Sequence, residues 1–124
     1  MDKKIRILTG ELKLEAELNE SKTAQLIWEA LPIEGENNLW GEEIYFSIPV
    51  KTGSESGARE VLSMGELGYW PPGHAFCIFF GRTPASRGDE IRAASAVNII
   101  GKLLGDPKVF RKAKHGAKIV LEKA

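Results

Sequence analysis

Between Glu11 and Leu18 every second residue is apolar: Leu12, Leu14, Ala16 and Leu18 alternate with Glu11, Lys13, Glu15 and Glu17. A period of two places all the apolar side chains on one face of an extended chain and all the charges on the other, so this stretch reads as a strand with one wet face. The same period runs through Ile5 and Ile7 in Lys4 to Thr9, and Gly10 at the join supplies a tight reversal, which predicts an opening β-hairpin. It returns from Glu43 to Val50, with Ile44, Phe46, Ile48 and Val50 on one side and Tyr45, Ser47 and Pro49 on the other. Pro49 has no N–H to give to a ladder and belongs at a strand edge or end.

Between these stretches the spacing changes. Ala24, Ile27, Trp28 and Leu31 fall at i, i+3, i+4 and i+7, with Asn19 and Ser21 as capping residues and Pro32 as a stop. That is an amphipathic helix of about three turns, too short to stand alone, so it lies on something apolar. Trp28 is then most simply a residue between helix and sheet, whereas Trp40, between Asn38 and Gly41, is harder to explain by packing.

Ala58 to Ser63, Ala75 to Phe80, Glu90 to Ser95, Val97 to Leu103 and Ala117 to Glu122 read as further strands, and Ala75 to Phe80 is apolar on both faces and so central. Gly65, Gly68, Pro71, Pro72 and Gly73 read as breakers, and Asp106 with Pro107 as the start of a second short helix. Seven or eight short strands with few helices remove their edges by curling up. The expectation is one mainly β domain over residues 1–124, an antiparallel barrel that is closed or nearly so.

Lys plus Arg and Asp plus Glu both number 17, so no net field draws this chain to phosphate backbones or anionic lipid, and neither nucleic acid nor membrane is expected as a partner. The amino-terminal stretch has no continuous apolar run of the secretory kind. A single cysteine, Cys77, forms no internal disulfide, which agrees with a cytoplasmic location. It sits in the most apolar stretch, where burial makes a thiol inert. His74 and His115 have no Cys or acidic neighbour at ligand spacing, so no metal is expected. No phosphate-binding glycine motif occurs, and no cofactor is expected. Glu42 with Glu43, and Asp89 with Glu90, are sequence neighbours that read as solvated surface.

One constellation is unusual. Tyr69-Trp70-Pro71-Pro72-Gly73 leads directly into the central strand, with two prolines fixing φ and Gly73 allowing a bend, so both rings are held with little freedom left to lose. Aromatics held this way can wall an apolar pocket.

Val61-Leu62-Ser63-Met64-Gly65, the Trp70-Pro71-Pro72-Gly73 turn, Phe76-Cys77-Ile78-Phe79-Phe80-Gly81 and Arg82-Thr83-Pro84 resemble the small prokaryotic cyclophilin-like family, the atypical or minimal cyclophilins. The similarity runs over nearly the whole chain, including Ile99-Ile100-Gly101-Lys102-Leu103-Leu104-Gly105. It implies a closed antiparallel eight-stranded barrel with two short capping helices. Ordinary cyclophilins isomerise the bond before proline, with an arginine donating to the prolyl nitrogen as amide resonance is lost. In this chain that position falls at Ser47, within Tyr45-Phe46-Ser47-Ile48, and the family's later tryptophan falls near Arg92. A neutral hydroxyl does not supply the same electrostatic stabilisation. Arg59, on the neighbouring strand, is the one candidate for a substitute catalytic group. Two readings follow: a pocket that binds a proline-containing peptide segment or small apolar ligand with reduced or absent isomerase activity, or a weak, unconventional isomerase. The pocket candidates are Tyr45, Ser47, Met64, Tyr69, Trp70 and Phe76, with Arg59 as polar anchor.

Overall fold

The computed structural model describes residues 2–124. The first two alternating stretches pair as expected: β1 (Lys3–Thr9) and β2 (Leu12–Leu18) form an antiparallel hairpin in which Thr9 faces Leu12, and Gly10 takes the turn at φ +56°. The helix α1 (Lys22–Ala30) begins where the Ser21 hydroxyl accepts the Ala24 N–H, which satisfies a donor the helix itself leaves free. It lays Ala24 and Ile27 on the core, while Trp28 is half-buried with the Lys123 ammonium 4.6 Å from its ring centre.

Eight further strands follow: β3 (Ile33–Glu36), β4 (Asn38–Leu39), β5 (Glu43–Ser47), β6 (Arg59–Leu62), β7 (Glu66–Trp70), β8 (Ala75–Phe79), β9 (Ile91–Leu103) and β10 (Lys118–Lys123). The sheet runs β3-β10-β1-β2-β9-β7-β8-β5-β4, and β6 pairs with β9 off that path. Every pairing is antiparallel.

The expected closed eight-stranded barrel is therefore corrected on two counts. The described residues form ten strands, and among them the curled sheet is not closed by hydrogen bonds. Its two edge strands, β3 and β4, are consecutive in the chain with Asn37 between them, so the seam is spanned by covalent continuity. Asn37 is 1 % exposed; its N–H donates to Ala117 O at 2.8 Å, its amide to Thr9 Oγ1 at 2.8 Å and Lys114 O at 3.3 Å, and its carbonyl accepts from Gly116. Of the two expected capping helices, α1 is α-helical and the second is a 3-10 helix over Pro107–Lys112, opened by the Asp106 carboxylate on the Lys108 N–H.

Two more expectations change. The segment read as broken by Gly65 and Gly68 contains β7, and the two late strands are one continuous β9 of 13 residues. Gly68 is no breaker here, because the space a Cβ would need is filled by Val97 Cγ2, 2.7 Å away, and by the Phe79 ring. Close backbone approach is the usual reason for a glycine inside a strand.

Alternation along β5 and β8 divides the apolar residues between two cores. Ile44, Phe46, Phe76 and Ile78 face the main core with Ile5, Ile27 and Leu121. On the opposite face Ala75, Cys77 and Phe79 meet Leu62, Ile91, Ala93 and Val97 in a smaller second core, which β6 and the first half of β9 cover. The covering is uneven: from Val61 to Arg59 β6 advances two residues while its partner positions on β9 advance from Arg92 to Val97, so β9 bows outward over Ala93 to Ala96.

A buried polar cluster fixes the segment between β5 and β6. The Glu55 carboxylate accepts from the Thr23 N–H at 3.0 Å and from the Thr23 hydroxyl at the start of α1, while Asn98 accepts the Glu55 N–H at 2.8 Å and donates to Thr23 Oγ1 at 3.1 Å and Gly53 O at 3.0 Å. Asn98 is 1 % exposed, so truncation strands several buried partners. Asn98→Ala is expected to cost about 2 to 3 kcal/mol in urea unfolding and to speed amide exchange at Glu55.

Candidate functional site

The bow in β9 opens a pocket of about 230 Å³ at the rim of the second core, lined by Trp40, Glu43, Tyr45, Trp70, Ala93, Ala94 and Val97. Its making can be followed in the sequence. β4 turns into β5 through Gly41 and Glu42, with Gly41 at φ +61° and lacking the Cβ that would meet Arg82 O at 2.8 Å. Across this turn Trp40 and Glu43 exchange both backbone bonds, N–H to O at 2.9 and 3.2 Å. Residues paired this way project to the same face, which sets the indole beside the carboxyl. Tyr45 follows two residues on and stands on that face as well.

Trp70 closes the other side. Its Nε1 donates to Ser95 Oγ at 2.7 Å, and its ring lies over the 3-10 turn Pro71–Gly73. A Cβ on Gly73 would stand 2.8 Å from Trp70 Cε3, so Gly73 is required for ring clearance; the left-handed residue of the turn is His74, at φ +47°. Gly73→Ala is expected to tilt the indole, cost about 1 to 2 kcal/mol, and move the Trp70 Nε1 resonance by breaking its bond to Ser95.

Glu43 reverses its expected place. Read from sequence as solvated, it is only 5 % exposed, while the adjacent Glu42 forms an exposed ion pair with Arg111 at 2.6 Å. Burial pushes the Glu43 carboxyl up from 4.5 to about 7, and the neighbouring Cys77 thiol, which itself donates to Ala75 O at 3.7 Å, opposes that shift. Among the described residues no Lys, Arg or His pairs with it. Cys77 is enclosed, and burial followed by the neighbouring Glu43 charge drives its thiol well above the ordinary range. The thiol is thus no nucleophile at neutral pH.

Of the residues singled out from sequence, the fold brings Tyr45 and Trp70 together in this pocket. Tyr69 and Phe76 are wholly enclosed in the main core, and the Tyr69 hydroxyl donates to Val50 O at 2.5 Å. Ser47 is exposed at the end of β5 and donates to Gly73 O at 3.0 Å. Met64 is 46 % exposed in a separate groove with Ser63, Glu66, Ile99 and Lys102. The Arg59 guanidinium is held by both Glu66 carboxylate oxygens, at 3.0 and 2.9 Å, and by Val61 O at 3.2 Å. Arg92 is likewise held by Glu90 and Glu60. Trp40, Glu43, Ala93, Ala94 and Val97 were not among those candidates. The signal for the first two lay in the Trp40-Gly41-Glu42-Glu43 turn, whose glycine marks the hairpin that pairs them.

No three His, Cys, Asp or Glu side chains cluster as a metal ion would need among the described residues, and no helix among them is long and apolar enough to cross a membrane.

A family model described as cyclophilin-like matches residues 3–122. The solution structure of the hypothetical protein AF2241 from Archaeoglobus fulgidus superposes with a TM-score of 0.84 at 38 % identity, over 99 % of this chain and 95 % of that one. A second similar structure, McbB in complex with tryptophan, has a TM-score of 0.71 at 14 % identity, over 96 % of this chain and 44 % of that one, and speaks for the fold alone. No curated protein matches.

Proposed function

Given that the chain belongs to the cyclophilin-like family, we propose that it is a binding protein of the cytoplasm whose pocket between Trp40, Tyr45 and Trp70 receives the ring of a proline-containing segment or a small apolar ligand, with prolyl isomerase activity reduced or lost. The observation that carries this reading is the composition of the pocket: the rings of Trp40, Tyr45 and Trp70 with the small apolar side chains Ala93, Ala94 and Val97, and a single ionisable acid, Glu43, at one side. At about 230 Å³ it falls below the usual range for drug-sized ligands, about 300 to 1,000 Å³, and suits one ring or one side chain.

Binding of this kind does not by itself accelerate isomerisation. A barrier of about 18 to 20 kcal/mol falls only through contacts stronger in the transition state than in the ground state. Ser47 offers a hydroxyl already given to Gly73 O, and Arg59 is committed to Glu66. Neither supplies a free cation at the pocket.

The test is exchange NMR on an Ala-Pro peptide with and without the protein. The expected result is unchanged cis/trans interconversion at high protein concentration. Acceleration that Arg59→Ala abolishes would overturn the reading in favour of an unconventional isomerase.

A further inference from the structure

The carboxylates of this chain differ in how their oxygens are used. Glu55 accepts two donors from Thr23, and Glu66 is filled by Arg59 and the Ser63 N–H. Glu43 is buried to 5 % exposure with the Cys77 thiol, a weak donor, as its polar neighbour, and it lines an open pocket. A carboxyl that served only the fold would be given donors by the fold, as the other two are. Its acceptor capacity is instead left facing whatever enters.

Three features narrow that visitor. An anion would meet a like charge on Glu43, with no Lys or Arg on the wall to offset it. A wholly apolar guest packs against the rings but leaves the carboxyl without a donor, and so uses only part of what the pocket offers. A cation meets both the carboxylate and the faces of Trp40, Tyr45 and Trp70, and electron-rich ring faces attract alkylammonium groups most strongly when desolvated. From this combination of an unpaired buried carboxyl with three aromatic walls we infer that the pocket selects a small organic amine in its protonated form, with a flat apolar body against the indoles and the ammonium on Glu43.

This inference rests on the reading of the pocket as a ligand site. It also carries a proton signature. Between the ordinary carboxyl value of 4.5 and about 7, Glu43 holds a proton in the folded protein, and an arriving ammonium displaces it. The titratable groups facing Glu43 are Cys77 on β8 and Tyr45 on its own strand; β9 presents Ala93, Ala94 and Val97 there.

The probes are phenethylamine, protonated at neutral pH, and 2-phenylethanol, its uncharged counterpart, each followed by the indole N–H resonances and by calorimetry in buffers of different ionisation enthalpy. Phenethylamine is expected to bind at least about tenfold more tightly than the alcohol, to shift Trp40 and Trp70 and not Trp28, and to release protons in that pH window. Glu43→Gln is expected to remove both the preference and the proton release. If amine and alcohol bind equally at the tryptophans, or the preference survives in Glu43→Gln, the ammonium inference is wrong and the ligand site stands. If neither probe moves Trp40 or Trp70, the ammonium inference is wrong, and the ligand-site reading falls with it if an Ala-Pro peptide leaves both indoles unmoved as well. Should Glu43→Gln fail to fold, the comparison of the two probes on the native protein still decides.

Discussion

Replacing Glu43 by glutamine is expected to make the protein more stable above about pH 7, by about 3 kcal/mol, and to leave it nearly unchanged below pH 4.5. Below 4.5 the carboxyl is protonated in both the folded and the unfolded chain, and burial adds no ionic cost. As the pH climbs toward 7 the unfolded chain releases this proton while the folded one keeps it, so native stability falls across that window. Above about 7 the folded protein must ionise a carboxyl that burial disfavours, and the deficit becomes constant. Glutamine keeps the shape and removes the charge. Urea unfolding of both proteins across this range is the measurement; parallel curves would mean that Glu43 titrates as an ordinary exposed carboxyl.

Gly101→Ala is expected to cost about 3 kcal/mol or more, because the backbones of the paired strands β9 and β2 come very close there. A Cβ at Gly101 would stand 2.2 Å from Glu17 O and 3.0 Å from Leu18 Cα, all backbone, in a register where Gly101 faces Leu18. Backbone on a central strand cannot swing aside as the end of a side chain can. The control is Gly116→Ala, where φ is +83° and nothing lies within 4 Å; strain alone should cost about 1 to 2 kcal/mol. Thermal unfolding of the two variants should separate by several degrees, and equal losses would refute the close backbone approach as the cause.

The sequence was most legible where one physical signal acted alone. Leu12 to Leu18 alternate because one face is wet, and β2 forms as expected. Ser21 caps α1 as expected, because its short side chain can fold back to accept the Ala24 N–H that the helix leaves free. The resemblance to the cyclophilin-like family also holds, since the family match runs over residues 3–122.

Legibility failed where a residue's local preference was overruled by a distant neighbour. Gly68 reads as a breaker until Val97 and Phe79 are seen to occupy its Cβ space. Tyr69 and Trp70 read as a pair, yet on a strand adjacent residues face opposite ways, so Tyr69 enters the main core and Trp70 the pocket rim. Glu42 and Glu43 read as neighbours pointing different ways into solvent; Glu42, in the turn, reaches Arg111, but Glu43, the first residue of β5, is buried beside Trp40. Barrel closure could not be read from strand number, because it depends on whether β3 and β4 pair across the seam, and Asn37 joins them in the chain instead.

The central claim is that the hollow beside Glu43 is a place for guests. The three tryptophans test it within one spectrum, since Trp40 and Trp70 line the hollow and Trp28 lies on the helix. Titrating an isotope-labelled sample with phenethylamine and with an Ala-Pro peptide should move the indole N–H signals of Trp40 and Trp70 with at least one of the two, while Trp28 stays in place. Three unmoved indoles, or movement at Trp28 alone, would contradict the account.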